Sequence, residues 1–378
     1  MEILKGIKSM KKISILLLGG TGAIGTPLQH YLLKLGYSVS VTSRKIHQSE
    51  EVDYLVGNAH EINFLNKVLE NESYDAVVDF MSYDTTEFPT IIKTILPRTR
   101  HYIYISSSRV YAPSDGMLTE DSPRLLDVCN DRKYLSTDEY ALRKARQENM
   151  LYESGRQNYT IIRPSITYNS NRLQYCVGEK EEWLYRAINR RKVIVPKDLD
   201  CIYTTMSFGD DVARAIALLV LNNAAYGEAV HIAGANAVTW ADVMDIYSRS
   251  VKKYTGYEIE KYYIKDSLKL SLTLNRYYQI KYARAVSRRF DNSKLWTLIG
   301  KQNFVDIEEG LSICVKKFLE EGMRFLPISW RTEAYFDKLS GDKTTLKAFP
   351  SNKGKVGYLI GRYSPYFKIK CEKERRNM

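Results

Sequence analysis

Three groups of residues in this chain have types and spacings that could do chemistry. Tyr140 and Lys144 lie four apart in Tyr140-Ala141-Leu142-Arg143-Lys144, which on a helix places them on one face, a turn from each other. Ser106, Ser107 and Ser108 close the apolar run Tyr102-Ile103-Tyr104-Ile105. Gly19, Gly20, Gly22 and Gly25 crowd together directly after Ile13-Ser14-Ile15-Leu16-Leu17-Leu18. Hydride transfer at a carbinol needs a base to take the hydroxyl proton or an acid to return it. A phenol ordinarily titrates at about 10, so it serves near neutrality only beside positive charge. The Lys144 ammonium supplies that sign. A Tyr and a Lys four apart occur often by chance; the pair gains meaning from its place after a serine-ended strand and a glycine-rich loop.

Those side chains need elements to hold them. An apolar run, a glycine turn and a helical pattern (Pro27, Leu28, Tyr31, Leu32, Leu35) read as the opening strand–turn–helix unit of a dinucleotide-binding fold. Gly20, Gly22 and Gly25 satisfy G-x-G-x-x-G, and Gly19, Gly22 and Gly25 satisfy G-x-x-G-x-x-G. The glycines let the main chain approach a pyrophosphate, and the helix that follows offers free N–H groups. The loop residues Thr21, Ala23 and Ile24 are candidate contacts with them. A second strand is expected at Tyr37–Thr42, and an NAD site usually ends it with an acid for the ribose hydroxyls. Here Thr42-Ser43-Arg44-Lys45 stands instead. Arg44, helped by Ser43 and Lys45, suits a 2′-phosphate, so NADP is the expected cofactor, with NAD left open.

Further strands are expected at Asp53–Asn58, Ala76–Phe80, Tyr102–Ser108 and Tyr159–Ile162, alternating with helices around Glu61–Leu69, Ile91–Leu96 and Tyr140–Glu148. The last helix reads as capped by Ser136 or Thr137, with Asp138 and Glu139 in its first turn. This alternation predicts an α/β, Rossmann-like, doubly wound parallel sheet with a smaller C-terminal α/β substrate domain. Asp210 and Asp211 open another predicted helix, as caps rather than ligands. Trp240, Trp296 and Trp330 read as core rather than sugar platforms.

The remaining composition narrows the class. At 378 residues the chain can hold one large domain or two. Five scattered cysteines (Cys129, Cys176, Cys201, Cys314, Cys371) and five histidines (His30, His47, His60, His101, His231) show no ligand spacing. A disulfide framework or metal chemistry is therefore not expected, and the reducing cytoplasm is the expected compartment. Lys11 and Lys12 before an apolar run imitate a signal peptide, but cleavage there would remove the first strand, so the signal is rejected. Translation could begin at Met1 or Met10. The net charge is +12, of which the stretch from Arg331 carries +7, with 12 Lys and Arg against 5 Asp and Glu, and this stretch reads first as a solvated appendage.

With Arg163-Pro164-Ser165-Ile166-Thr167-Tyr168, Asp210-Asp211-Val212-Ala213 and Asp291-Asn292-Ser293-Lys294 added to the motifs above, the chain resembles the extended short-chain dehydrogenase/reductase family, in its nucleotide-sugar epimerase/dehydratase branch. The resemblance runs over about residues 12–320. It implies Ser107, Tyr140 and Lys144 as the catalytic set, with Ser107 on the reacting oxygen and Lys144 also on the nicotinamide ribose. It places Asn58, Ala59, Phe80 and Pro164 along the cofactor. It divides the chain into a cofactor domain at 12–168 (with returns at about 195–235), a substrate part at 169–194 and 236–330, and a basic aromatic tail at 331–378. Dehydratases of the branch carry an acid within two positions after the catalytic Ser/Thr; here those positions hold Ser108 and Arg109. That leaves 4-epimerisation or keto-sugar reduction on a nucleotide-sugar. A non-sugar ketone reductase and a non-catalytic NADP-binding relative that contacts RNA or a partner stay open as alternatives. No specific nucleic acid is expected, a homodimer is open, and the tail could meet a membrane surface or an acidic partner.

Overall fold

The computed structural model describes residues 12–363; the alternative start at Met10 and the last part of the expected tail lie outside them. Strand β1 (Ser14–Leu18) is buried at all five positions. Its unbroken Ser-Ile-Leu-Leu-Leu run has no polar face because both faces are covered. Leu17 packs with Leu28, Val41, Val212 and Ile216 on one side, and Leu16 with Leu65, Val77, Ile91 and Tyr102 on the other, as the two-residue period of a strand requires.

Around β1 the chain builds β2 (Ser38–Ser43), β3 (Val52–Val56), β4 (Ala76–Asp79), β5 (His101–Ile105) and β6 (Tyr159–Pro164). After β7 (Ile166–Tyr168), β8 (Val193–Pro196) and β9 (Tyr203–Phe208) comes β10 (Ala229–Ile232), which completes the sheet. The order is β10-β6-β5-β4-β1-β2-β3, and every neighbouring pair is parallel. The fold is thus α/β with a Rossmann-like doubly wound parallel sheet. The winding reverses between β1 and β4, and that reversal opens a crevice at their carboxyl ends.

The remaining strands are small. β7, β9 and β11 (Ala237–Thr239) form one mixed sheet, and β8 pairs with β12 (Lys261–Ile264). Beside them pack helices Trp240–Thr255 and Ile307–Glu320, with Trp183, Trp240, Tyr247, Leu311 and Phe318 in a common core. Trp240 is 1% exposed, in line with its reading as core.

Two expectations are corrected here. The helix Tyr140–Tyr152 is capped by Glu139, whose side chain accepts from Ala141 N at 2.8 Å. Ser136 and Thr137 are committed elsewhere, donating to Lys133 O and Tyr134 O. Through Tyr363, the stretch from Arg331 is folded rather than a solvated appendage. Helices Trp330–Ser340 and Asn352–Tyr363 bury Phe336 and Tyr358. Among the described residues, no helix is long and apolar enough to cross a membrane.

Candidate functional site

The glycine turn is shaped by close contacts. Gly19 adopts φ +71°, and a Cβ on Gly25 would stand 2.5 Å from Gly20 O, so the helix Gly25–Lys34 begins directly on the turn. Gln29 Nε2 donates to Gly20 O at 2.6 Å, and Gly19 N donates to Thr42 Oγ1 at 3.0 Å. Gly22 differs: a Cβ there would meet nothing within 4 Å. A side chain would occupy the crevice itself, which is the space a pyrophosphate on the helix N-terminus requires.

From this turn two cavities open. One, of ≈770 Å³, is lined by Gly19, Thr21, Ser43, Arg44, Lys45, His47, Asn58, Ala59 and His60, with no carboxylate among the described residues that line it. Ser43 is partly engaged within its own turn, accepting from Lys45 N at 3.1 Å and pairing with His47 Nε2 at 3.0 Å. The other, of ≈550 Å³, is lined on the sheet side by Gly22, Ala23, Ile24, Gly25, Phe80, Ser107, Tyr140 and Pro164. Facing them are Arg109, Arg172, Gln174, Glu179, Arg276 and Arg284. The expected site residues therefore gather around two connected spaces, except Lys144, which is 3% exposed and lies behind Tyr140.

Lys144 Nζ donates to Ile105 O at 2.8 Å and stands 4.5 Å from the Tyr104 ring centroid and 5.9 Å from that of Tyr140. Burial pushes its ammonium down to about 8, opposed chiefly by the Asp79 carboxylate. Asp79, at the end of β4, is itself pushed up to about 6 by burial, opposed by hydrogen bonds from Met81 N and Tyr102 and by Lys144. Sequence reasoning missed Asp79, although its place at a strand's carboxyl end was visible. The helix bearing Tyr140 is fixed by Glu148. That carboxylate accepts from Ser106 Oγ at 2.6 Å and takes a bidentate pair from Arg163 at 2.9 and 2.8 Å. The serine cluster, β6 and the Tyr140 helix are thereby locked together.

Ser107 Oγ accepts from Arg109 N at 3.2 Å, so its own O–H can be donated to a ligand. Arg109 lays its guanidinium 5.1 Å from the Tyr140 ring centroid and pairs with Glu139. Arg284 is the most constrained of the facing cations. It is 4% exposed, and its Nε donates to Cys176 O at 2.8 Å. Burial, then Arg109 and Arg172, push its guanidinium down to about 9. Arg284 is the last residue of a π-helical turn, Ile280–Arg284, and Arg276 stands at the N-cap of the short helix that leads into it; the irregular period left no signal in the sequence.

Residues 15–233 match the model of the family described as NAD dependent epimerase/dehydratase family. A relative from Arabidopsis thaliana, chloroplast stem-loop binding protein of 41 kDa b, is 26% identical over 251 residues, covering 62% of each chain. The chain thus spans less than two thirds of that relative's length. Among solved structures, UDP-glucose 4-epimerase from Thermotoga maritima with UDP-glucose aligns with TM-score 0.63 and 17% identity over 82% of this chain and 99% of its own. UDP-glucuronic acid 4-epimerase from Bacillus cereus, with UDP-glucuronic acid and NAD, gives 0.62 and 16% over 82% and 99%. dTDP-glucose 4,6-dehydratase from Bacillus anthracis, with NAD, gives 0.61 and 16% over 82% and 97%. At such identities the likeness is one of fold.

Proposed function

The chain belongs to the NAD dependent epimerase/dehydratase family, and on that premise we propose that it acts on a nucleotide-activated sugar, by 4-epimerisation or keto-sugar reduction, with NADP(H). One observation carries the reading: Tyr140 and Ser107 share a cavity with Arg172, Arg276 and Arg284, where Glu179 is the one carboxylate among the described lining residues. A buried guanidinium pressed by two others is costly unless an anion joins it, and a diphosphate supplies that charge. In this reading the open position at Gly22 and the helix start at Gly25 receive the cofactor pyrophosphate, and Arg44 with Lys45 receives a 2′-phosphate. When bound, the nicotinamide gives or takes the hydride. Tyr140 holds or returns the proton at the sugar hydroxyl, Ser107 donates a hydrogen bond to that oxygen, and Lys144 provides positive charge behind the ring. Ser108 and Arg109 offer no acid for loss of water. The test is a panel of UDP-, GDP- and dTDP-sugars with NADP⁺, and of their 4-keto derivatives with NADPH, followed by NMR of the sugar ring and by NADPH absorbance. Inversion without net NADPH loss identifies an epimerase, and matched NADPH consumption a reductase. Failure of every sugar to bind or turn over overturns the proposal.

A second reading is favoured by the Arabidopsis relative's name and the +12 net charge: a nucleotide-binding protein that engages a folded RNA. It predicts salt-sensitive stem-loop binding that Tyr140→Phe leaves untouched, and no turnover of any sugar.

A further inference from the structure

The helix Asn352–Tyr363 is built inside out. Two of its three glycines face inward: a Cβ on Gly361 would stand 3.0 Å from Ala334 Cβ, and one on Gly354 would stand 2.8 Å from Trp330 Cδ1, whereas one on Gly357 would meet nothing within 4 Å. These contacts, with the Tyr358 hydroxyl donating to Asp337 Oδ2 at 2.7 Å, hold it closely against helix Trp330–Ser340. Its large apolar side chains point the other way. Val356 is 53% exposed, Leu359 41%, Ile360 49% and Tyr363 67%. Their spacing puts them in one stripe, whereas the helix of an ordinary soluble domain turns such a stripe to the core. Between residues 343 and 363 the basic residues are Lys343, Lys347, Lys353, Lys355 and Arg362, with no Asp or Glu; Lys343, Lys347 and Lys353 are exposed.

We propose that this face docks on an anionic lipid surface, the apolar stripe entering the headgroup boundary while the flanking lysines neutralise lipid phosphates. Charge selects that occupant. A second copy would bring two acid-free basic faces together, which like-charge repulsion opposes. An RNA would match the lysines, but it stacks on aromatic faces and gains little from Val356, Leu359 and Ile360. The docking does not rest on the proposed reaction.

The test uses the full chain in co-sedimentation with vesicles of phosphatidylcholine alone, or with about one third phosphatidylglycerol. The chain should pellet with the anionic vesicles and be released by high salt. Val356→Asn/Ile360→Asn and Lys353→Glu/Lys355→Glu should each weaken partitioning about tenfold or more, with unchanged melting temperature. Val356, Ile360 and Lys353 are exposed and Lys355 is half-buried, and the charge pair probes the same face without altering its apolar side chains. Equal pelleting of either variant with the wild type, or equal binding to neutral vesicles, overturns the proposal. So does a solution dimer that the asparagine pair dissolves. Stem-loop RNA binding that the glutamate pair abolishes and the asparagine pair spares, without vesicle binding, would assign the face to RNA instead.

Discussion

The two walls of the crevice are made of different materials. The sheet wall is a glycine turn, strand ends and a helix start, aligned by the ladders between parallel strands. The facing wall is made of charged side chains brought from far apart, among them Arg172, Arg276 and Arg284. Separate from it is a buried ion network that ties Arg186 and Arg191 to the C-terminal helix Trp330–Ser340. Arg186, fully buried, donates to Glu333 at 3.0 Å, Asp337 at 2.9 Å and Asp342 at 3.2 Å, and Arg191 joins Glu333 at 2.6 Å. The sheet wall tolerates many sequences that keep its glycines. The buried ion network fails when one partner is removed, because the others stay buried and uncompensated.

That contrast can be broken most severely at Arg186. Arg186→Ala should cost about 3–5 kcal/mol in urea unfolding, and truncation after Trp330 should cost at least as much. A folded, cooperatively melting truncation product would show that the C-terminal helices are dispensable and dissolve the contrast. Next comes the chemistry shared by the two walls. Tyr140→Phe should lower turnover by about 10²–10⁴-fold with cofactor affinity nearly unchanged; activity at the wild-type level would place the proton carrier elsewhere.

A paired measurement separates the walls directly. Arg284→Gln should weaken nucleotide-sugar binding by about 1–3 kcal/mol and leave NADPH binding alone. Because it relieves an unfavourably buried charge, it should also leave the melting temperature equal or higher. Arg44→Ala should do the converse, narrowing the preference for NADPH over NADH by about 1–3 kcal/mol while sparing the sugar. Isothermal titration of both ligands on both variants decides it; equal affinity of the wild type for NADPH and NADH removes the role given to Arg44.

The smallest effect is in pH. The Lys144 ammonium, pushed down to about 8, loses its proton as pH rises through that value. The Asp79 carboxylate, pushed up to about 6, gains one as pH falls through its own. Turnover should therefore be greatest between the two. Asp79→Asn removes the negative charge that raises the Lys144 value, so the alkaline limb should move to lower pH in a pH–rate profile. An unmoved limb would detach Asp79 from the site.

By itself the sequence determined the parallel sheet and the glycine turn, because strand, turn and helix signals are local: a buried apolar run, φ-permissive glycines, a helical period. The strands expected from β1 to β6 are all present within a few residues, and Tyr140 stands at the start of its helix because Glu139 caps it. Only the tertiary structure decided what lies opposite. Arg172 and Arg284 face one cavity although more than a hundred positions separate them, and Asp79 meets the charge of Lys144 across two elements. The stretch from Arg331 read as a solvated basic tail because composition counts charge without showing its partners; through Tyr363 it packs in, since Glu333, Asp337 and Asp342 close the shell around Arg186. Local periodicity records which face of an element is buried. Which distant charges meet there is set by chain topology, and no window of sequence contains it.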